Sequence, residues 1–187
     1  MDRDVSSEDG DAGPRRPSAS CVFVCHDGDG RVLLARRGGG ARDERGAWDT
    51  GAGALEYGES SEEAVTREVA EEYSTGPLHI EMIGVRNVVR ADPASHWVAA
   101  VFAVRVDPAA VAIGEPHKFE ELGWFEPEAL PSPLHSQLGE SLALFRAWRG
   151  MPHPQVTCRG RGKSPTAPDR PASRHPMMMT SPTAKTM

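Results

Sequence analysis

The chain has 187 residues, 39% of them hydrophobic, and a formal net charge of −6, enough for one compact domain and not comfortably for two. The negative charge lies in the middle of the sequence, because the C-terminal stretch carries Arg159, Arg161, Lys163, Arg170, Arg174 and Lys185 against Asp169 alone. An acidic domain is a poor clamp for nucleic acid, whose binding rests largely on neutralising phosphates with Lys and Arg, and the longest apolar run, Trp97 to Val104, is too short to span a bilayer.

Residues 1–19 are polar and aperiodic and read as a disordered arm; they are acidic at the start and lack the apolar core of a signal peptide, so a cytoplasmic protein is expected. Cys21 to Cys25 is an apolar run closed by Asp27-Gly28-Asp29-Gly30, and Arg31 to Ala35 begins a second. Two short apolar runs around a Gly/Asp turn predict a β-hairpin. In a strand Cys21 and Cys25 lie about 13 Å apart, at about 3.3 Å per residue, beyond the roughly 7 Å limit for a disulfide. With Cys158 they read as free thiols, the small buried side chains of a reducing compartment. Gly38-Gly39-Gly40 has no following GKS/T to make it a phosphate cradle and reads as a plain flexible loop. Trp48 is expected to pack at the base of this loop.

The stretch Gly53 to Ser74, GALEYGESSEEAVTREVAEEYS, begins with a glycine-punctuated loop and passes into a helix. Ser60 followed three residues later by Glu63 is a capping box. Val65, Val69 and Tyr73 make one apolar stripe. Beside it Glu68, Glu71 and Glu72 fall within about one third of the circumference, at roughly 100° per residue. Like charges at these spacings each cost about 0.2–0.5 kcal/mol, and Arg67 alone stands beside them. A divalent cation would remove the repulsion, and Mg²⁺ and Mn²⁺ take hard oxygen ligands. A solvated acidic face is the alternative for glutamates standing alone; here Glu59, Arg67 and the glycine loop arrive with them.

The stretch resembles the Nudix box, G-x5-E-x7-R-E-U-x-E-E-x-G-U with U a bulky aliphatic residue, and Gly53, Glu59, Arg67, Glu68, Val69, Glu71 and Glu72 fall in register. Ser74 and Thr75 stand where the box ends in glycine and an aliphatic residue, so the helix is expected to stop at Gly76-Pro77 instead. Upstream, Gly51-Ala52-Gly53 stands where the family often has Pro-Gly-Gly. The resemblance implies an α/β fold, a Nudix-type α/β/α sandwich whose mixed β-sheet has helices on both faces, over residues 20–149. It implies Mg²⁺-dependent hydrolysis, with Mn²⁺ as a substitute, of a phosphoanhydride in a nucleoside diphosphate linked to another group. Glu68, Glu72 and Glu71 would then hold metal, with the backbone carbonyl at Gly53 completing the set. Arg67 and Glu59 would orient the carboxylates, and Glu71 or a later loop glutamate would serve as general base.

Past the box, Leu78 to Arg90 alternates loosely and predicts a long strand, Asp92 to Ser95 a turn, and His96 to Val106 a second long strand apolar enough for burial on both faces. His96 reads either as a substrate-contacting ring or as a half-exposed strand residue. Residues 108–119 are a loop, Pro127 to Pro131 a short turn of helix, and Leu134 to Trp148 a final amphipathic helix. In the family a glutamate ahead of a Trp-Phe pair approaches the metal or acts as base; Glu120 and Glu121 are similarly placed, or are surface carboxylates. Residues 150–187 are rich in Pro, Ser and Met, carry a basic excess, and predict disorder. The His96-Trp97 strand and the Lys118–Phe125 segment resemble those of members acting on nucleoside triphosphates. ADP-ribose, dinucleotides, and a non-catalytic nucleotide-binding module stay open. The expected partner is a small-molecule nucleotide, with no nucleic acid and no membrane, and a homodimer is compatible with the resemblance.

Overall fold

In the computed structural model, residues 16–91 and 94–150 are described; all of the stretch read as an N-terminal arm except residues 16–19, and the C-terminal tail beyond residue 150, lie outside them. In chain order the elements are β1 (Ser18–His26), β2 (Val32–Arg37), β3 (Trp48–Asp49), β4 (Gly51–Ala54), α1 (Ser61–Tyr73), β5 (His79–Ala91), β6 (Ala94–Arg105), β7 (Phe119–Phe125) and α2 (Leu138–Gly150). The seven strands form one mixed sheet in the order β3-β2-β1-β6-β5, with β4 paired to β1 and β7 to β2. β1 lies parallel to β6, from Ser18 opposite Trp97 to His26 opposite Arg105, and antiparallel to β2 and β4. It begins at Ser18, two residues inside the stretch read as an arm. No helix among the described residues is long and apolar enough to cross a membrane.

Period-two alternation along β1 sorts its side chains to the two faces. Cys21, Phe23 and Cys25 face α1 and pack with Val65, Val69, Tyr73, Phe102 and Val104. Val24 faces the other way and packs with Val32, Leu34, Ala103, Leu138, Leu142 and Phe145 under α2. Each helix buries its apolar stripe against the same sheet from opposite sides, which is the expected sandwich. Cys21 and Cys25 are buried free thiols on one face. Burial on both faces holds for β6 from Ala99 to Val104, whereas Ala94 to Val98 is exposed or half-buried. Trp48 is buried at the base of the loop, edge-on to Phe125 with ring centroids 5.1 Å apart.

Several boundaries differ from the sequence reading: Gly53 and Ala54, read as loop, lie in β4, and Ala94 and Ser95, read as turn, open β6. The final helix begins at Leu138, because the backbone from Pro133 to His135 is held by Trp48: the Trp48 N–H donates to the Pro133 carbonyl and the His135 N–H to the Trp48 carbonyl, each at 2.9 Å. Pro127 to Pro131 makes a turn rather than helix, with one bond from the Ala129 N–H to the Glu126 carbonyl. Helix α1 ends at the position of the box glycine and does not run on to Gly76: Ser74 is left-handed, with φ +52°, and its N–H donates to the Ala70 carbonyl. The carbonyls of Glu72 and Tyr73, which have no partner inside the helix, accept from the N–H groups of Gly114 and Ala112. That closure holds the helix end in place whatever residue stands at 74.

A left-handed non-glycine residue carries strain of about 1 kcal/mol or more, and Ser74 is exposed. Ser74→Gly is therefore expected to stabilise the protein by about 0.5–1 kcal/mol, read as a raised denaturant midpoint with unchanged slope.

Candidate functional site

The capping box fixes where α1 starts and therefore which way its carboxylates face. Ser60 Oγ accepts from the Glu63 N–H at 3.2 Å, and Glu63 Oε2 accepts from the Ser60 N–H at 2.8 Å. On the first full turns the Arg67 guanidinium gathers the acids. It donates to both oxygens of Glu59, at 2.9 and 3.0 Å, a bidentate pairing with directional strength. It also donates to Glu68 Oε1 at 2.8 Å, Glu71 Oε2 at 3.3 Å and the Ala54 carbonyl at 3.2 Å. One cation thus ties the loop, the helix and three carboxylates together.

The three helix glutamates occupy different environments. Glu71 is half-exposed, its side chain 52% accessible. Glu68 is half-buried, and burial raises its pKa against the opposing pull of Arg67. Glu72 is fully buried; Lys118 Nζ donates to its Oε1, and its Oε2 has no hydrogen-bond partner. Burial pushes the Glu72 pKa up to about 8, a rise the Lys118 ammonium only partly offsets. Burial pulls the pKa of Lys118 down, but Glu72 and Glu115 outweigh that and hold it above its ordinary value. Glycine is required opposite this row because β4 lies directly against α1. A Cβ on Gly53 would overlap the Glu68 carboxylate, and one on Gly51 would overlap the Phe23 ring and lie 2.6 Å from Glu72 Oε2. The Gly51-Ala52-Gly53 departure therefore keeps glycine at both points of contact. The Gly53 carbonyl accepts from Cys21 Sγ at 3.6 Å.

The donor chemistry fits a hard divalent ion: buried and half-buried carboxylate oxygens, one of them unpartnered. Among the described residues, however, no three such groups are already gathered as a coordination set; Arg67 holds Glu68 and Glu71, and Lys118 holds one oxygen of Glu72.

Glu120 and Glu121 lie on β7, exposed, and pair with Arg36 of the neighbouring strand at 3.6 and 3.3 Å; no hydrogen bond or ion pair joins either to the α1 carboxylates. The acid that reaches this site from the same part of the chain is Glu115, 3.2 Å from Lys118 Nζ. Sequence reasoning missed both Glu115 and Lys118. A usable signal was present: Lys118 is the only lysine before residue 163. The triple-glycine loop is not free either. The N–H groups of Gly38 and Gly40 donate to the carbonyls of Lys118 and His117, at 2.7 and 3.0 Å, and so are not available to a phosphate.

His96 and Trp97 border a groove of about 560 Å³ with Arg16, Ser18, Val89 and Arg90, and His96 Nε2 lies 3.0 Å from Asn87 Oδ1. Ser18 stands opposite Trp97 on one edge of β1, and Ser20 opposite Ala54 on the other, so groove and glycine strand share one end of β1. A second polar cluster, also unforeseen, lies beneath the loop. His135 Nδ1 is 3.2 Å from Asp49 Oδ2, and Arg37 pairs with Asp43 and Asp49. Burial raises Asp49 to about 6 against the pull of His135 and Arg37.

The family described as the NUDIX domain matches residues 14–145. The NAD-capped RNA hydrolase NudC of Pseudomonas aeruginosa is 34% identical over 122 residues, an alignment covering 65% of this chain and 40% of that protein. The chain thus spans well under half the length of the curated relative it matches. The crystal structure of a MutT NUDIX hydrolase from Burkholderia pseudomallei superposes with a TM-score of 0.63 at 30% identity, over 70% of this chain and 98% of that one. The NUDIX domain of Shewanella oneidensis NrtR, solved with ADP ribose, shares the fold, with a TM-score of 0.56 at 19% identity over 73% and 90% of the two chains.

Two outcomes are expected of this geometry. Gly51→Ala should destabilise the protein by about 1–3 kcal/mol, the range for overpacking, measurable by thermal denaturation. Burial lifts the Glu72 pKa from its ordinary 4.5, the value in the unfolded chain, to about 8 in the fold. The native state therefore binds that proton more tightly, and the stability it confers is present at low pH and lost as pH rises through about 8. Denaturation of metal-free protein at about pH 6 and about pH 9 should show a fall in wild type that Glu72→Gln lacks.

Proposed function

Because the chain belongs to the NUDIX domain family, we propose that it is a hydrolase cleaving a phosphoanhydride bond in a nucleoside diphosphate linked to a second group. The observation that carries this reading is the row Glu68, Glu71 and Glu72 on α1, whose most buried member has an oxygen without a partner. A buried, under-satisfied carboxylate is costly to keep, and a cation at that carboxylate would relieve the cost. Glu68, Glu72 and Glu71, with the Gly53 carbonyl, would hold Mg²⁺ or Mn²⁺. A bound divalent ion there would neutralise charge on the pyrophosphate oxygens and lower the pKa of a bound water.

The chain's own residues have the remaining tasks. Arg67 fixes the directions of Glu68 and Glu71 through its anchor on Glu59, the role of an outer-shell partner. Glu71, exposed and held by one 3.3 Å bond, is the carboxylate best placed to take a proton from the attacking water. Glu121 is the weaker candidate for that role, since Arg36 holds it on the sheet. The groove bordered by Trp97, His96, Arg16 and Arg90 offers an indole for a base and guanidinium groups for phosphates, which supports a nucleotide as substrate and a nucleoside triphosphate as the first candidate.

Likeness to NudC favours a second candidate, an NAD-type dinucleotide or NAD-capped RNA. The exclusion of nucleic acid drawn from net charge is therefore not supported, and capped RNA belongs among the substrates to test. A module that binds nucleotide without hydrolysis is disfavoured because every acidic position of the box is kept. Free Cys21 and Cys25 accord with a reducing, cytoplasmic setting.

The test is a panel of nucleoside triphosphates, ADP-ribose, NAD and NAD-capped RNA, with and without Mg²⁺, read by chromatography. Metal-dependent cleavage of at least one member is expected, with Glu71→Gln lowering kcat by about 10²–10⁴-fold and circular dichroism unchanged. Wild-type turnover in both Glu71→Gln and Glu72→Gln would overturn the assignment.

A further inference from the structure

Lys118 is one of three lysines in the chain, beside 18 arginines, and the other two are Lys163 and Lys185. The domain thus uses arginine for every other permanent cation and places its one lysine on the most buried acid. Lys118 Nζ donates to Glu72 Oε1, lies 3.2 Å from Glu115 Oε2 and sits 5.0 Å from the centre of the Phe119 ring. Its position is built rather than incidental. The loop ahead of it caps the end of α1 through Ala112 and Gly114, its N–H donates to the Glu115 carbonyl, and its own carbonyl accepts from Gly38. The backbone on either side is therefore fixed, while the four-carbon side chain is 27% accessible beside a Glu72 side chain that is 1% accessible.

The choice of residue is informative. A guanidinium forks onto both oxygens of a carboxylate, as Arg67 does with Glu59, and is held by the geometry of two parallel bonds. An ammonium is a compact point charge on a flexible stem, and here it engages one oxygen and leaves Glu72 Oε2 without a partner. It holds one oxygen of the acid without closing the carboxylate to another cation.

We propose that Lys118 is a tethered stand-in for the divalent ion: it holds Glu72 in the metal-free protein and is displaced from that carboxylate when the ion binds. This rests on the metal-binding reading of the α1 carboxylates. An ion on the free Oε2 would stand close to the ammonium on Oε1, and their repulsion in a buried setting favours release of the Lys118–Glu72 contact. On release, the ammonium swings toward solvent on a stem whose anchor does not move.

The consequence is readable without activity. Full-length protein is trace-labelled with acetic anhydride in the absence and presence of saturating Mg²⁺, and acetylation at each lysine is quantified by mass spectrometry, with Mg²⁺ uptake measured on the same sample by calorimetry. Lys118 labelling is expected to rise several-fold with Mg²⁺ while Lys163 and Lys185 stay constant. In Glu72→Gln, Lys118 labelling is expected to be high already and insensitive to Mg²⁺. Calorimetric uptake with unchanged or reduced Lys118 labelling overturns this inference and leaves the metal reading intact; absence of uptake overturns both.

Discussion

A carboxylate without solvent sits at the centre of this structure. Glu72 is fully buried between α1, the glycine strand β4 and the ring of Phe23, in a place where an unpaired charge is among the most expensive things a fold can hold. Everything around it answers that cost. Glycine at 51 and 53 lets β4 approach the helix without collision. The loop from Ala112 to Lys118 closes the helix end and delivers one ammonium. What is not answered is the second oxygen, which has no hydrogen-bond partner.

The same site shows why the carboxylates do not fly apart. At the exposed end of the row Arg67 bridges Glu59, Glu68 and Glu71, and at the buried end Lys118 bridges Glu72 and Glu115. Two cations thus stand against five acids. The two cations differ in kind: Arg67 is locked by several bonds to loop and helix, whereas Lys118 makes point contacts at the end of a flexible chain. One end of the row is rigid, and the other can change partners.

A groove along β1, β5 and β6 carries the Trp97 indole and the Arg16 and Arg90 guanidinium groups. Its indole and guanidinium groups lie on the opposite edge of β1 from the glycine strand and at the same end of it. That juxtaposition depends on the parallel pairing of β1 with β6, a contact between residues about eighty positions apart in sequence. A long crossover through α1 and β5 makes it.

Local pattern determined a great deal by itself. The capping box, the Val65–Val69–Tyr73 stripe, the hairpin at Asp27–Gly30 and the two long strands all follow from short-range spacing, and each formed where the residues required. The acidic row and its family were legible for the same reason, since a helix fixes the relation between residues three and four apart. Three things depended on tertiary structure. The end of α1 at Ser74 is set by carbonyl bonds to a loop forty residues later, and the start of α2 by bonds to Trp48. The partner of Glu72 is Lys118, and the acid beside it is Glu115 rather than Glu120 or Glu121, because chain closure brings that stretch of the loop against the helix end while β7 carries the other two onto the sheet. Spacing along a helix is decided by the chain's own backbone, but which distant side chain neutralises a buried charge is decided only when the sheet and its loops close over it.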